Sequence, residues 1–285
     1  MGIGETAEML RRSTVHIKGM NRGRPSAGSG VIWNGDGTII TNAHVLGNGG
    51  HIVELWDGRT FPAEVKERDD ARDLARIKVN TAGLPALTAR SEAARAGEVV
   101  IAVGNPLGFT GALTTGVVHA NGAVAGMGRR RWVQAAIRLA PGNSGGPLAD
   151  ASGHVLGINT MIMQGIMSGG IALAVPSATV EAFLRSGAGP RLGVTVQSVR
   201  PDRGKGLGLL VLSVEAGSAA EHASLLIGDV LMGANGTPFQ SSADLSEAVA
   251  LAQAGVLHLR FLRGGNPRER EVSVNLEAGV RRRAA

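Results

Sequence analysis

Cysteine is absent from the 285-residue sequence. That excludes a disulfide framework, a Cys-ligated metal site and a cysteine nucleophile. It does not separate compartments, because a thiol-free chain suits oxidising and reducing surroundings alike. No apolar run reaches the ~18 residues of a membrane-spanning helix. The opening MGIGETAEMLRRSTV holds no apolar core of a secretory signal. The expected location is cytoplasmic, or the periplasm or cell envelope if a leader precedes this sequence. Charge is also scarce, at 18% of residues, too little for a charge-expanded disordered chain. Lysine is rare: only Lys18, Lys66, Lys78 and Lys205 occur, so the formal charge of +6 rests on arginine. The clusters Arg129–Arg131 and Arg281–Arg283 are short and carry no interleaved aromatics. They read as solvated loop and tail rather than a nucleic-acid surface.

What is present points to a strand-rich chain with two cores. Apolar residues make up 44%, and the length fits about two domains. Glycine is abundant at 43 residues, roughly twice the usual ~7% share. With only 11 prolines, Gly and Pro together stay below the ~25–30% of low-complexity chains, so the glycines read as turns between short strands. Residues 5–12 suit a short opening helix. GSGVIWNGDGTIITNAHV reads as strand, turn, strand, and HIVELWDGRTFPAEVKE as a hairpin around Asp57-Gly58. Apolar runs follow at Leu74–Val79, Val99–Val103, Leu113–His119, Trp132–Ile137, Val155–Met163 and Ile171–Val175. Such spacing predicts a barrel or a sandwich pair. After Pro176 the pattern changes. SATVEAFLRS predicts a helix with Ser177 as N-cap, and GAGP at 187–190 is the expected linker. Residues 191–278 mix strands with helical stretches near Ser218–Ala223 and Ser242–Ala252, a smaller α+β domain. Residues 279–285 form a basic tail.

Three segments carry candidate chemistry. The first is Pro141-Gly142-Asn143-Ser144-Gly145-Gly146-Pro147-Leu148. Glycines beside a serine permit a sharp turn, close substrate approach and inward-pointing amides. The N–H groups of Gly142 and Ser144 suit an oxyanion hole. The same residues also suit an ordinary Gly-rich turn. The second is Thr41-Asn42-Ala43-His44-Val45, where His44 ends an apolar strand. A serine hydroxyl needs such a base to take its proton. The third is Arg72-Asp73-Leu74-Ala75-Arg76-Ile77-Lys78-Val79. An acid just before a buried strand can hold the imidazole N–H and fix its tautomer. Asp69 and Asp70 compete for this role, but a solvated acidic loop is the expectation for both. The order His44, Asp73, Ser144 is the trypsin-like one.

TNAHV, DLARIKV, GNPLG (104–108), PGNSGGPL, GINT (157–160) and GIALAVPS (170–177) resemble the HtrA/Deg serine proteases. The second region, with RLGV (191–194) and EAGSAAEHASLLIGDVLMGANGTPF (215–239), is similar to a single PDZ domain. The resemblance implies a mainly β chain: a trypsin-like double β-barrel over 1–186, then a smaller α+β PDZ domain over 191–278. It implies an endopeptidase of protein quality control, acting on unfolded or damaged proteins through an acyl-enzyme, with no cofactor and no metal. His44 would be the base, Asp73 its orienter and Ser144 the nucleophile. The substrate would pair with Thr160, Met161, Ile162 and Met163, with pocket walls from Gly170 and Ile171 and a base at Leu139. Leu192, Gly193 and Val194 would capture C-terminal peptides. The sequence departs from the family at Ala135-Ala136 in place of Thr-Asp, at Arg138, and at Ser224, where glycine is usual. The family's trimers generally use N-terminal aromatics, and none precedes Trp33. A homotrimer is therefore a weaker implication than proteolysis. The competing reading is a peptide-capturing chaperone with an idle protease barrel.

Overall fold

A computed structural model describes residues 2–276, apart from 22–23, 48, 125–126, 128–129, 163–169, 187–189, 201–205, 251, 253–254 and 267. Met163, Arg129, most of the expected linker and the basic tail, with Arg281–Arg283, lie outside the described residues. The chain forms two compact units. One comprises 1–122 and 131–188, the other 123–130 and 189–285.

The first unit holds two closed six-stranded antiparallel barrels. Helix α1 (Ile3–Arg12) precedes β1 (Thr14–Asn21), β2 (Arg24–Asn34), β3 (Thr38–Thr41), β4 (His51–Glu54), β5 (Thr60–Asp69) and β6 (Leu74–Val79). These close in the order β1-β2-β3-β6-β5-β4. Alternation drives the closure: Val15 and Ile17 of β1, Ile39 of β3, Val53 of β4 and Ile77 of β6 point inward to one buried cluster. The second barrel uses β7 (Val99–Gly104), β8 (Ala112–Ala123), β9 (Arg131–Ala136), β10 (Pro147–Asp150), β11 (Val155–Ile162) and β12 (Ile171–Pro176). Its core includes Val100, Ala102, Val133, Ala135, Leu148, Leu156 and Ala174. Helix α2 (Ser177–Ser186) follows, and Phe183 on it is fully buried.

Helix α1 is tied to both barrels. Leu10 is fully buried, Thr6 Oγ1 donates to the Ala151 carbonyl at 3.1 Å, and the Ser13 carbonyl accepts from the Ile32 amide at 2.9 Å. Glu8 pairs with Arg11 and Arg12 on the same helix.

The second unit is a six-stranded sheet, β13 (Val194–Val199), β14 (Gly208–Val214), β15 (Val230–Ala234), β16 (Thr237–Pro238), β17 (Val256–Leu262) and β18 (Arg270–Asn275), with helices α3 (Ala219–His222) and α4 (Ala243–Ala250). The order β13-β14-β15-β17-β18 leaves β13 as an edge strand. Leu209, Val211, Leu231, Leu245, Val249, Leu257, Leu259 and Phe261 build its own core.

Candidate active site

Strand register brings His44 to Asp73. In the β3–β6 ladder Thr41 faces Ala75. The chain leaves β3 through a single 3₁₀ turn, Ala43–Val45, which carries His44. Asp73 lies two residues before Ala75, so the two side chains meet where the strands end. Asp73 sits at φ +52°, a left-handed conformation that Asp tolerates better than most residues. His44 Nδ1 lies 2.9 Å from both carboxylate oxygens. The His44 amide donates to Oδ1 at 3.1 Å, and Asn42 Nδ2 donates to the Asp73 carbonyl at 2.8 Å. Thr160 Oγ1 donates to Asp73 Oδ2. Burial pushes the Asp73 carboxyl up, but the hydrogen bond and charge of His44, with the Thr160 hydroxyl, outweigh it and hold the group below its ordinary value. His44 is half exposed and Asp73 largely covered, as suits a base open to substrate and an orienter shielded from water.

Thr160 is the residue that sequence reasoning missed in this role. It lies on the strand expected to pair with substrate, but its side chain braces the acid. It occupies a β-bulge, because the β11–β12 register shifts between Asn159 and Met161. A bulge re-aims a side chain that regular pleating would send elsewhere. The Thr160 carbonyl also accepts the Ser144 hydroxyl at 2.9 Å. Ser144 therefore joins the pair through Thr160, and no hydrogen bond links Ser144 Oγ to His44.

The turn before Ser144 is pinned on several sides. The Asn143 amide donates to the Ala140 carbonyl at 3.0 Å, and the Gly145 amide to the Asn159 carbonyl at 2.8 Å. Gly142 has φ +106°, where a side chain is strained. A Cβ there would also lie 2.6 Å from the Asn105 carbonyl oxygen. The Gly142 and Ser144 amides have no partner among the described residues. Two unused donors beside a serine hydroxyl are what an oxyanion site requires.

Near the expected specificity pocket, Leu139 is half-buried and packs on the second-barrel core, and Arg138 is exposed. Ala135 faces Ala172 and Ala136 faces Ile171 across β9 and β12. Met161 pairs with Leu173 and Ile162 with Ala172. Gly170 is an exposed turn residue ahead of them. The expectation for Asp69 is corrected: it is buried, and its carboxylate caps the Arg72 amide at 2.9 Å and pairs with its guanidinium at 3.1 Å. The turn that delivers Asp73 is braced by this contact, so the acid could not stay in solvent. Asp70 remains exposed and pairs with Arg68.

In the second unit, Leu192 is buried in the core, so it can meet a ligand only through its backbone. The Leu192 carbonyl accepts from the Ala220 amide, and the Gly193 carbonyl from the Glu215 amide. Gly193 has φ +81°, and a Cβ there would lie 2.2 Å from Ser218 Cβ. Val194 opens the edge strand β13.

Comparison with known proteins finds matches to both parts of the chain. Residues 28–158 match the trypsin-like peptidase domain family, and residues 190–274 match the PDZ domain family. The chain thus joins a trypsin-like peptidase domain to a PDZ domain. It is 36% identical over 267 residues to the putative serine protease HhoA of Synechocystis, covering 83% of this chain and 67% of that protein. It is 36% identical over 284 residues to a probable periplasmic DegP-like serine endoprotease of Rhizobium meliloti, covering 92% of this chain and 55% of that protein. The chain therefore spans between half and two thirds of these relatives. The solved HtrA-type protease AlgW with tripeptide superposes with a TM-score of 0.62 at 29% identity, covering 96% of each chain. The chain belongs to the HtrA family of serine proteases.

Proposed function

We propose that the chain is a serine endopeptidase that cleaves unfolded or damaged proteins through His44, Asp73 and Ser144. The observation that carries it is the His44–Asp73 pair beside a serine hydroxyl and two unengaged amides. In the reaction the Ser144 hydroxyl turns from the Thr160 carbonyl to His44 Nε2, which takes its proton as Oγ attacks the substrate carbonyl. Gly142 and Ser144 N–H groups hold the oxyanion. Asp73 keeps the Nδ1–H tautomer and stabilises the imidazolium, which then protonates the leaving amine. Water attacks the acyl-enzyme by the same route in reverse. Substrate lies along Thr160–Met163, and Leu139, Gly170 and Ile171 shape a small apolar pocket. The exposed position of Arg138 favours cleavage after small aliphatic residues over acidic ones.

The second unit takes extended C-terminal peptides by strand addition at β13, with the carboxylate at the Leu192–Val194 backbone. Domain limits of 1–186 and 191–278 follow from this division of labour. The relatives named as periplasmic point to the periplasm or cell envelope. A homotrimer is the remaining assembly proposal. A second reading, a peptide-binding chaperone with a latent barrel, is favoured by the Ser144–Thr160 hydrogen bond, which holds the nucleophile off its base.

Digestion of casein by wild type and Ser144→Ala, with a fluorophosphonate probe, separates the two. Wild type is expected to degrade casein and label at Ser144, and Ser144→Ala to do neither. Folded wild type that never labels, with or without peptide, would leave only the chaperone reading.

A further inference from the structure

Outside the triad, one buried hydroxyl grips the loop of Gly142 from the opposite barrel. We infer that Ser29 is a positioning residue for the oxyanion site, acting on the Gly142 carbonyl and itself aimed by Asn105. This rests on the proposed roles of Ser144 and the Gly142 amide.

Ser29 lies on β2 of the first barrel, 113 residues before Gly142 in the chain, and is fully buried. Every hydrogen-bonding group it owns is engaged. Its amide donates to the Ser144 carbonyl at 2.8 Å. Its carbonyl accepts from Thr41 Oγ1 at 2.7 Å. Its Oγ donates to the Gly142 carbonyl at 2.6 Å, and accepts from the Asn105 amide at 2.9 Å and from Asn105 Nδ2 at 3.3 Å. A serine hydroxyl has one hydrogen and two lone pairs. Asn105 occupies the lone-pair side, so the hydrogen is directed at Gly142.

Asn105 is held just as firmly. Its Nδ2 also donates to the Val15 carbonyl at 2.9 Å on the first barrel, and its Oδ1 accepts from the Gly111 amide at 2.9 Å. Its own carbonyl oxygen crowds Gly142, as the absence of room for a Cβ shows. At this seam the Ser29 hydroxyl is thus a donor directed at Gly142.

The effect on chemistry follows from peptide geometry. The plane between Gly142 and Asn143 is fixed at both ends, by Ser29 Oγ on its carbonyl and by the Ala140 carbonyl on its N–H. The preceding plane, from Pro141 to Gly142, carries the Gly142 N–H. Turning that N–H away requires opposed changes in ψ of Pro141 and φ of Gly142, the torsions on either side of that plane. With the second plane anchored, the Gly142–Asn143 peptide cannot turn along with it, which confines the rotation to those two torsions and holds the Gly142 N–H more firmly. The Gly142 carbonyl, a dipole that would oppose a developing oxyanion, is held toward β2. Without the Ser29 hydroxyl the plane keeps one anchor, and that part-buried carbonyl loses its donor.

The test compares wild type, Ser29→Ala, Ser29→Thr and Ser29→Cys on a chromogenic peptide, with enzyme concentration set by fluorophosphonate titration. Affinity for a peptide boronic acid reports on oxyanion binding. Ser29→Ala should lower kcat about tenfold, equivalent to about 1.4 kcal/mol, leave KM within about twofold, and weaken the boronic acid in step with kcat. Ser29→Thr should restore most of the loss, because it returns the hydroxyl. If Ser29→Ala does not fold, Ser29→Cys serves: it keeps the volume with a weaker donor and should show the same kcat loss at constant KM, to a smaller degree. A folded Ser29→Ala or Ser29→Cys enzyme with wild-type kcat would overturn the inference, as would a kcat loss that leaves boronic acid affinity unchanged. Ser144→Ala run alongside separates the two levels. Activity surviving in Ser144→Ala overturns the triad reading and this inference together, whereas its loss beside a fully active Ser29→Ala overturns this inference alone.

Discussion

Asp73 accepts hydrogen bonds from the His44 ring, the His44 amide and the Thr160 hydroxyl. A carboxylate can accept all of these at once and a carboxamide cannot. Asp73→Asn should therefore turn the imidazole to the wrong tautomer, and kcat is expected to fall by about 10⁴-fold with KM little changed. Steady-state kinetics on a peptide substrate check this, and a loss below about tenfold would mean that Asp73 does not orient the base. The acid also bears on stability. Its folded pKa is depressed, so its contribution is present above the unfolded value of ~3.9 and is lost as pH falls through the folded value. The acid limb of the stability curve should accordingly be shallower in Asp73→Asn. Thr160 and Ser29 act at this same scale, each with one hydroxyl hydrogen committed to one acceptor.

Strand ends and turns do the positioning at the scale of elements. The end of β3 and the start of β6 lie side by side and bring His44 to Asp73. The bulge on β11 turns Thr160 toward both Asp73 and Ser144. The short β10 starts just after the serine turn and is locked between β7 and β11. In the second unit the turn into β13 depends on Gly193. Because its φ is +81° and a Cβ would meet Ser218, Gly193→Ala should destabilise that unit by about 1–3 kcal/mol. Amide hydrogen exchange is the measurement: protection should drop in β13 and β14 and hold in β10 and β11. Equal loss in both would show that the effect is not local to this turn. Peptide affinity should weaken in parallel, and equal binding of free-acid and amidated peptides would refute carboxylate capture at Leu192–Val194.

The whole molecule carries a pH liability away from the triad. His16 and His51 are buried on adjacent strands of the first barrel, and the Nε2 of each has no partner among the described residues. Burial lowers the pKa of both. Lys18 adds to the shift of His16, Glu54 opposes it, and Arg68 adds to that of His51. The unfolded chain takes up these protons near pH ~6.5 and the folded chain only at lower pH. The stability they hold is complete above ~6.5 and is lost as pH falls through the folded values. Thermal unfolding of wild type should therefore shift down between about pH 7 and about pH 5, and the double variant His16→Gln/His51→Gln should shift less. Parallel Tm curves for the two proteins would assign the acid sensitivity to other groups.

Much of this molecule is legible along the chain. β6 has the limits that its apolar run predicts, and helix α2 occupies the SATVEAFLRS segment, although Ser177 is its first residue rather than its N-cap and its hydroxyl donates to the Arg90 carbonyl. Strong short patterns with clear turns report locally. β1 was not legible, because Gly19, Met20 and Asn21 break up the alternation of Val15 and Ile17, and the strand exists by pairing on both sides with β2 and β4. The proposal of His44, Asp73 and Ser144 likewise starts from local motifs, weighed together through their order along the chain. What only the tertiary structure decided is how those residues are held. Ser29 lies 113 residues from Gly142, Asn105 lies 90 from Val15, and Thr160 lies 87 from Asp73. Serine, asparagine and threonine carry no pattern that announces a distant partner. Their hydrogen bonds acquire direction only when barrel closure, strand register and one bulge bring buried donors and acceptors together, where leaving any of them unpaired would be costly.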